Sequence, residues 1–327
     1  MTLMRAATLS TTGGPEVLEH GQVEVPAPAP GEVLVKIAAV GVNFIDTYLR
    51  SGVYPLALPA VLGSEGAGVV ETVGEGVTAF AAGDRVAWAD GNAGSYAALV
   101  AVDANRVQRV PEGLDLDLAA GAMLQGMTSH YLTTSTWPIQ PGETALVHAA
   151  AGGMGLLLTQ QIKARGGRVI GTVSTTAKEA AARTAGADEV IRYTEVDDLA
   201  AEVRALTGGR GVDVAYDGVG ADTFEASLAS LRPRGLLALY GAASGPVPPF
   251  DPQRLNAAGS IFLTRPTLAN YVATDVDLQW RAGEVLSAAA DGSLTITIGG
   301  RYPLAEAGAA HTDLASRATS GKLLLIP

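Results

Sequence analysis

The sequence predicts an α/β chain in which a doubly wound parallel sheet is inserted into a barrel- or sandwich-like unit of short strands. Three observations carry that prediction. The chain has 327 residues, about twice the usual domain length, so two domains are expected. Its first part consists of short apolar runs cut by glycine and proline, the strand-and-turn punctuation of an all-β unit. From Glu143 onward strand-like and helix-like segments alternate, which implies a parallel sheet covered by helices on both faces.

In the first unit, "GEVLVKIAAVGVN" reads as a strand rich in β-branched residues and "GAGVVETVGEGV" as a strand, a turn and a return. "GDRVAWA" and "GSYAALVAV" continue the pattern. In the second unit "TALVHA" is a short apolar strand, and "GGMGLLLTQQIKARGG" is a helix that ends at glycines. "RVIGTV" is the next strand, and "STTAKEAAARTAG" is a helix with Ser/Thr at its start and Gly186 past its end. Those are cap residues: the hydroxyl satisfies free N–H groups, and glycine takes the left-handed position. "ADEVIRY", "VDDLAAEVRALTGG", "GVDVAYDGVG", "ADTFEASLASLRPRG" and "LLALYGAASG" extend the alternation. After the proline-rich "SGPVPPFDP" the pattern becomes irregular and closes on "GKLLLIP", a strand expected to return to the first unit. The expected division is residues 1–124 with 265–327, and 125–264 between them.

Composition narrows the function. Apolar residues make up 48% and charged residues 17%, enough for packed cores and without the signature of disorder. The net charge of -11 argues against a nucleic-acid partner or an anionic membrane surface. With no cysteine, disulfides, thiol catalysis and cysteine-ligated metals are excluded. His20, His130, His148 and His311 are scattered and form no metal spacing. The N-terminus lacks the cationic and apolar regions of a secretory signal, and no apolar run is long enough to span a membrane. A cytoplasmic protein is expected.

The stretch "HAAAGGMG" stands between a strand and a helix. It matches the dinucleotide fingerprint G-x-G-x-x-G with Ala150 in the first glycine position and Gly152 and Gly155 in the others; Gly153 and Met154 lie between. Gly152 lets backbone N–H groups reach a pyrophosphate, Gly155 lets the helix pack closely, and the phosphates sit at the helix N-terminus. A tight strand-to-helix turn is the plain alternative; the βαβ series on both sides favours the cofactor. An NAD site presents an acid at the tip of the second strand. Here that tip runs into Ser174, Thr175, Thr176 and Lys178, a hydroxyl and a cation that suit a 2′-phosphate. The plain alternative is that Ser174 or Thr175 merely caps the helix and Lys178 is a solvated first-turn residue; capping and phosphate binding are compatible, and NADPH is expected.

With "AVGVNFIDTYLRSGVYP", "LGSEGAGVVETVGEGV", "GGRGVDVAYDGVG", "SGPVPPFD", "LTRPTLANY" and "AHTDLASRATSGKLLLIP", the chain resembles the zinc-independent quinone oxidoreductases (ζ-crystallin type) of the medium-chain dehydrogenase/reductase superfamily over nearly its whole length. The resemblance implies a GroES-like catalytic domain, a Rossmann domain, a cleft between them and NADPH-linked reduction of a quinone. Asn43, Tyr48 and Tyr54 resemble residues of the nicotinamide and quinone pocket, and Gln125 and Thr128 those that flank the nicotinamide. Many relatives carry Lys in place of Gln125. Ser174, Lys178, Tyr193 and Arg317 resemble a 2′-phosphate group of contacts. Val219, Gly241 and Ser244 follow later strands, and Phe262 and Leu263 resemble backbone contacts to the nicotinamide amide. Each has a plainer reading: Tyr48 and Tyr54 as packing aromatics, Arg317 as a surface charge, Asp46 as a helix cap, which is preferred for it.

The zinc branch of the superfamily has Cys where this chain has Val42, and Gly-His-Glu where it has Gly63, Ser64 and Glu65. No metal is expected, and no general acid is assigned. The resemblance also implies a homodimer through the cofactor domain, for which 259–264, "GSIFLT", is the candidate edge strand; a loop could shield that edge instead. A reductase of enal or enoyl double bonds is the second reading. An RNA-binding or structural role, known among relatives, is the third and is disfavoured by the acidic charge.

Overall fold

The computed structural model describes residues 2–89, 91 and 93–327. The backbone divides into two compact units, Met1–Met127 with Tyr271–Pro327, and Thr128–Asn270. These divisions lie a few residues beyond those expected at 124 and 264. Both fall within helices, Leu116–Tyr131 and Leu268–Tyr271, rather than in a loop.

In chain order the first unit runs through β1 (Leu3–Leu9), β2 (Leu18–Glu24), β3 (Glu32–Val42), α1 (Phe44–Ser51), β4 (Ala60–Val61) and β5 (Glu65–Val73). It continues with β6 (Arg85–Ala89), β7 (Leu99–Asp103), β8 (Val107–Arg109) and α2 (Leu116–Tyr131). The second unit contains β9 (Thr144–Val147), α3 (Gly153–Ala164), β10 (Arg168–Val173), α4 (Thr176–Thr184), β11 (Glu189–Arg192) and α5 (Leu199–Leu206). Then follow β12 (Val212–Asp217), α6 (Phe224–Ser230), β13 (Leu231–Leu239), α7 (Gln253–Ala257), β14 (Phe262–Thr264) and α8 (Leu268–Tyr271). The chain ends with α9 (Asp275–Ala290), β15 (Ile298–Pro303), α10 (Ala307–Ser316) and β16 (Lys322–Ile326).

The first unit holds a three-stranded sheet, β2-β1-β4, and a seven-stranded sheet of order β15-β16-β3-β5-β6-β8 with β7 also paired to β3. "GKLLLIP" does return to the first unit: β16 lies antiparallel to β3, with Leu324 opposite Gly41. Its Leu323 and Leu325 enter a core with Val33, Val35, Val40, Val42 and Trp88. The expected return after "GAGVVETV" is not a strand of its own. Gly74 N–H donates to Glu32 O at 2.8 Å, and the chain comes back only as β6, antiparallel to β5.

The second unit is a parallel sheet of order β11-β10-β9-β12-β13-β14, the doubly wound order 3-2-1-4-5-6. Its direction of winding reverses between β9 and β12, and ligands bind outside the carboxyl ends of strands at such a point. Two long helices, α2 and α9, lie outside the elements expected from the sequence. Gly121 and Gly126 weaken the intrinsic helix preference of α2. A Cβ on Gly126 would stand 2.5 Å from Val285 Cγ1, and one on Gly121 3.1 Å from Ile298 Cδ1. Close packing by α9 and by the chain at β15 therefore explains both glycines and overrides propensity.

Candidate functional site

β9 delivers the chain to the glycine-rich turn. The left-handed residue there is Ala149, with φ +50°, one position before the Ala150 to which the fingerprint assigns the turn. Gly152 N–H closes it by donating to Ala149 O at 2.8 Å, and Ala150 N–H donates to Thr172 O at 3.0 Å. Gly155 is required by space: a Cβ there would lie 2.3 Å from Ala149 O and 2.6 Å from Ala150 Cα. Gly152 precedes α3 in an extended conformation and contributes no side-chain cap. The first-turn N–H groups, including those of Gly153, Met154 and Gly155, therefore receive no side-chain cap from Gly152, an arrangement that can accept an anion.

At the tip of β10, Thr175 takes the cap: its Oγ1 accepts from Lys178 N–H at 3.3 Å. Ser174 is not the capping residue. Tyr193 N–H donates to Val173 O at 3.1 Å, and Thr194 Oγ1 donates to Ser174 O at 3.2 Å. Ser174, Lys178 and Tyr193 therefore stand together at the carboxyl ends of β10 and β11, and Tyr193 is exposed. Arg192, which sequence reasoning did not select, joins them by donating to Thr176 Oγ1 at 3.0 Å, while Glu179 and Glu195 balance its charge. Arg317 belongs to the first unit, where it ends α10 with φ +58°.

The loops after β12 and β13 interlock. Ser244 Oγ donates to Val219 O at 2.9 Å and accepts from Asp222 N–H at 3.0 Å. A Cβ on Gly241 would lie 2.4 Å from Gly218 O, so glycine is needed there for the two loops to meet. Phe262 and Leu263 lie on β14, the sheet edge, and Thr128 lies near the end of α2.

Beneath these loops runs a buried chain of polar groups. Asp217 Oδ1 accepts from Val219 N–H at 2.9 Å and Gly220 N–H at 3.0 Å. Thr223 Oγ1 stands 2.8 Å from both carboxylate oxygens. Ser227 Oγ donates to Asp217 Oδ2 at 2.7 Å. The His148 ring meets Ser227 Oγ at 2.8 Å through Nε2 and Thr172 Oγ1 at 3.1 Å through Nδ1. Burial pushes the His148 pKa down, against the pull of the Asp217 charge.

In the first unit, Asn43 opens α1, and Asp46 Oδ2 accepts from its N–H at 3.0 Å, so Asp46 caps as preferred. Asn43 is buried, and both ends of its amide are engaged. Nδ2 donates to Glu65 Oε1 at 2.7 Å and to Gly41 O at 3.3 Å; Oδ1 accepts from Lys322 Nζ at 2.6 Å. Lys322 also pairs with Glu65, and both side chains are at most 2% exposed. Glu65 Oε2 accepts from Leu124 N–H at 2.6 Å, fixing the turn of α2 that carries Gln125. Gly41 is bare because a Cβ would lie 2.6 Å from Glu65 Cδ and 2.7 Å from Lys322 Cε. Gln125 Nε2 reaches Asn43 Oδ1 at 3.5 Å, and its buried Oε1 has no hydrogen-bond partner among the described residues, an acceptor that a ligand N–H or O–H can satisfy. Tyr48 and Tyr54 meet edge to face at 5.6 Å between ring centroids, with Phe44 at 6.3 Å from Tyr48. The structure thus joins Asn43 to Gln125 and Tyr48 to Tyr54.

Sequence reasoning missed what lies behind Asn43. Ser64 Oγ donates to Asp46 Oδ1 at 2.7 Å, and Tyr96 OH to Asp46 Oδ2 at 3.3 Å. Tyr96 OH also meets His311 Nε2 at 2.8 Å, and Arg50 meets His311 Nδ1 at 3.1 Å. Burial raises the Asp46 pKa to about 6, despite the hydrogen bond from Ser64. Burial and the Arg50 charge lower His311 to about 3, and burial holds the Tyr96 phenol protonated. Only Asp46, as a cap, carries a signal in the sequence.

Residues 29–112 match the family described as alcohol dehydrogenase GroES-like domain, and residues 153–276 the family described as zinc-binding dehydrogenase. The chain is 48% identical to a quinone oxidoreductase of Pseudomonas aeruginosa, over 96% of this chain and 97% of that protein. It is 42% identical to a 2-haloacrylate reductase of a Burkholderia species, over 99% of each. A mycobacterial protein solved in complex with NADPH superposes with a TM-score of 0.96 at 52% identity, over 99% of this chain and 100% of that one. The residues present do not fit the zinc of the second description. Val42 offers no donor atom, Ser64 is bonded to Asp46, and Glu65 is held by Asn43, Lys322 and Leu124 N–H. Among the described residues no group of three or more His, Cys, Asp or Glu is placed to hold a metal. Through matches that span almost its entire length, the chain belongs to the quinone oxidoreductase family of the medium-chain dehydrogenases/reductases.

Proposed function

We propose that this chain reduces a quinone with NADPH and without a metal. The carrying observation is the carboxyl edge of the second unit: an uncapped α3 behind a glycine turn, and a β10 tip with Ser174 and Lys178 where an NAD site has an acid. Identity to a quinone oxidoreductase and to an NADPH-bound protein supports it. The backbone of Gly152–Gly155 holds the pyrophosphate. Ser174, Lys178, Tyr193 and Arg317 hold the 2′-phosphate. Thr128, Val219, Gly241, Ser244, Phe262 and Leu263 serve the nicotinamide half. NADPH, when bound, would supply the reducing equivalents, and the hydroquinone oxygens would take protons from water. Asn43, Tyr48, Tyr54 and Gln125 orient the quinone and keep water from it, with the Tyr54 hydroxyl a donor to the oxygen on which charge develops.

The residues 1–124 and 265–327 form the catalytic domain in this proposal, and 125–264 the cofactor domain. β14 is an open edge of its sheet, with Phe262 59% exposed, and supports a homodimer formed by pairing with its copy. A cytoplasmic location is part of this proposal; no helix among the described residues is long and apolar enough to cross a membrane.

The test is loss of NADPH absorbance with a panel of 1,2- and 1,4-quinones. Turnover of enals, enoyl thioesters or 2-haloacrylates with none of any quinone overturns the reading in favour of double-bond reduction, the alternative that the 2-haloacrylate reductase likeness supports. Lys178→Glu is expected to weaken NADPH far more than NADH; equal loss of both removes Lys178 from the phosphate site.

A further inference from the structure

His148, Ser227 and Asp217 have the residue types of a hydrolytic triad, but their order denies that chemistry. Ser227 stands between the other two: its single proton goes to Asp217 Oδ2, so its oxygen can only accept from His148 Nε2–H. A serine whose proton is held by a carboxylate, and whose lone pair is held by an imidazole, is no nucleophile. All three side chains are buried. The same bond puts a proton on Nε2, and because burial disfavours the imidazolium, Nδ1 is left bare to accept from Thr172 Oγ1–H.

What the chain of bonds connects is the glycine turn that holds the pyrophosphate and the turn that brings Val219 to the nicotinamide half in the function proposed above, a reading on which this inference rests. His148 immediately precedes Ala149, whose φ of +50° is costly for a residue with a Cβ. Its N–H donates to Tyr216 O at 3.2 Å, which seats it where the sheet reverses its winding. Asp217, at the other end, holds the N–H groups of Val219 and Gly220. We propose that His148 is a positioning residue for the dinucleotide. Through Ser227 and Asp217 it holds the 149–155 turn and the 218–220 turn in one fixed relation, so that the cofactor meets both already set.

The experiment measures NADPH affinity of the unaltered chain and of His148→Phe, His148→Gln, Ser227→Ala and the His148→Phe/Ser227→Ala double variant, each shown folded by circular dichroism. Phenylalanine keeps the ring and loses the donor; glutamine keeps a donor at the Nε2 position. His148→Phe is expected to raise the NADPH Kd about tenfold, the scale of one lost buried hydrogen bond, while the KM for quinone stays within about twofold. His148→Gln recovers most of the affinity, and the double variant is no worse than the weaker single one. A folded His148→Phe that binds NADPH as the unaltered chain does, or losses that simply add, overturns the inference while leaving the cofactor reading intact. Failure of the unaltered chain to bind NADPH overturns both. Nitrogen-15 NMR of the ring, in a chain with only four histidines, gives a readout that needs no variant. It is expected to show a protonated Nε2 and a bare Nδ1 at neutral pH, and the opposite tautomer or an imidazolium overturns the proposal.

Discussion

The two units bury polar networks of opposite construction. In the first, charge is met by charge: Lys322 against Glu65, with Asp46 close by and Arg50 beyond His311. In the second, the Asp217 carboxylate is met by Thr223, Ser227 and two backbone N–H groups, with His148 neutral behind them. The hydroxyl network sets the shape of two turns, and each of its members adds one modest bond. The ionic network fixes the amide of Asn43, and its members depend on one another, because a buried charge that loses its partner keeps its whole desolvation cost.

The contrast can be broken most directly at Lys322. Lys322→Met strands Glu65, and a loss of roughly 3–5 kcal/mol in denaturant unfolding is expected. The Lys322→Met/Glu65→Gln pair should recover part of that loss. A single-variant loss below about 1 kcal/mol would place the pair among ordinary surface bridges.

Next in size is the response to pH, where Asp46 and His311 act with opposite sign. Asp46 is raised from 3.8 to about 6, so in that window the folded chain holds a proton the unfolded chain has released. Its contribution to stability therefore falls as pH rises through the window. His311 is lowered from 6.5 to about 3, so its contribution is lost as pH falls through that range. Asp46→Asn removes the first effect alone. From pH 7 to pH 4 the variant should lose roughly 2 kcal/mol relative to the unaltered chain, because each tenfold difference in proton affinity between folded and unfolded carboxylate is worth about 1.4 kcal/mol and the unfolded carboxyl is itself partly protonated at pH 4. Urea titrations at several pH values measure this, and a difference that stays flat shows that Asp46 titrates as it does in the unfolded chain.

The smallest effect belongs to the second unit. Thr172→Val removes one neutral donor from His148 and keeps the shape, for an expected loss of about 1 kcal/mol. A loss as large as that of Lys322→Met would erase the difference between the two networks.

The second unit is legible in the sequence and the interior of the first is not, for one physical reason. Strand, turn, cap and helix in "TALVHAAAGGMGLLL" follow from neighbours in sequence, and Thr175, Gly186 and Gly155 signal them locally. Even there the left-handed position falls one residue before the fingerprint's place for it, since an alanine at φ +50° has no sequence signature. In the first unit Glu65 and Lys322 are 257 residues apart, and each alone looks like a solvated charge. α2 is hidden by Gly121 and Gly126, whose need is visible only once Ile298 and Val285 are seen against them.

The place of β16 in the sheet has a consequence for how the protein is made. Asn43 waits for Lys322 across 279 residues, whereas Thr128–Asn270 is one continuous stretch. During synthesis on the ribosome the second unit can close as soon as it emerges. The Val40–Val42 end of β3, already paired with β5 and β7 elsewhere along its length, meanwhile lacks its β16 partner, and Glu65 lacks its cation, until β16 emerges. A stalled or clipped chain that lacks 322–326 would therefore carry one finished unit and one open sheet edge, the form that quality-control proteases recognise and that aggregates through its unpaired strand.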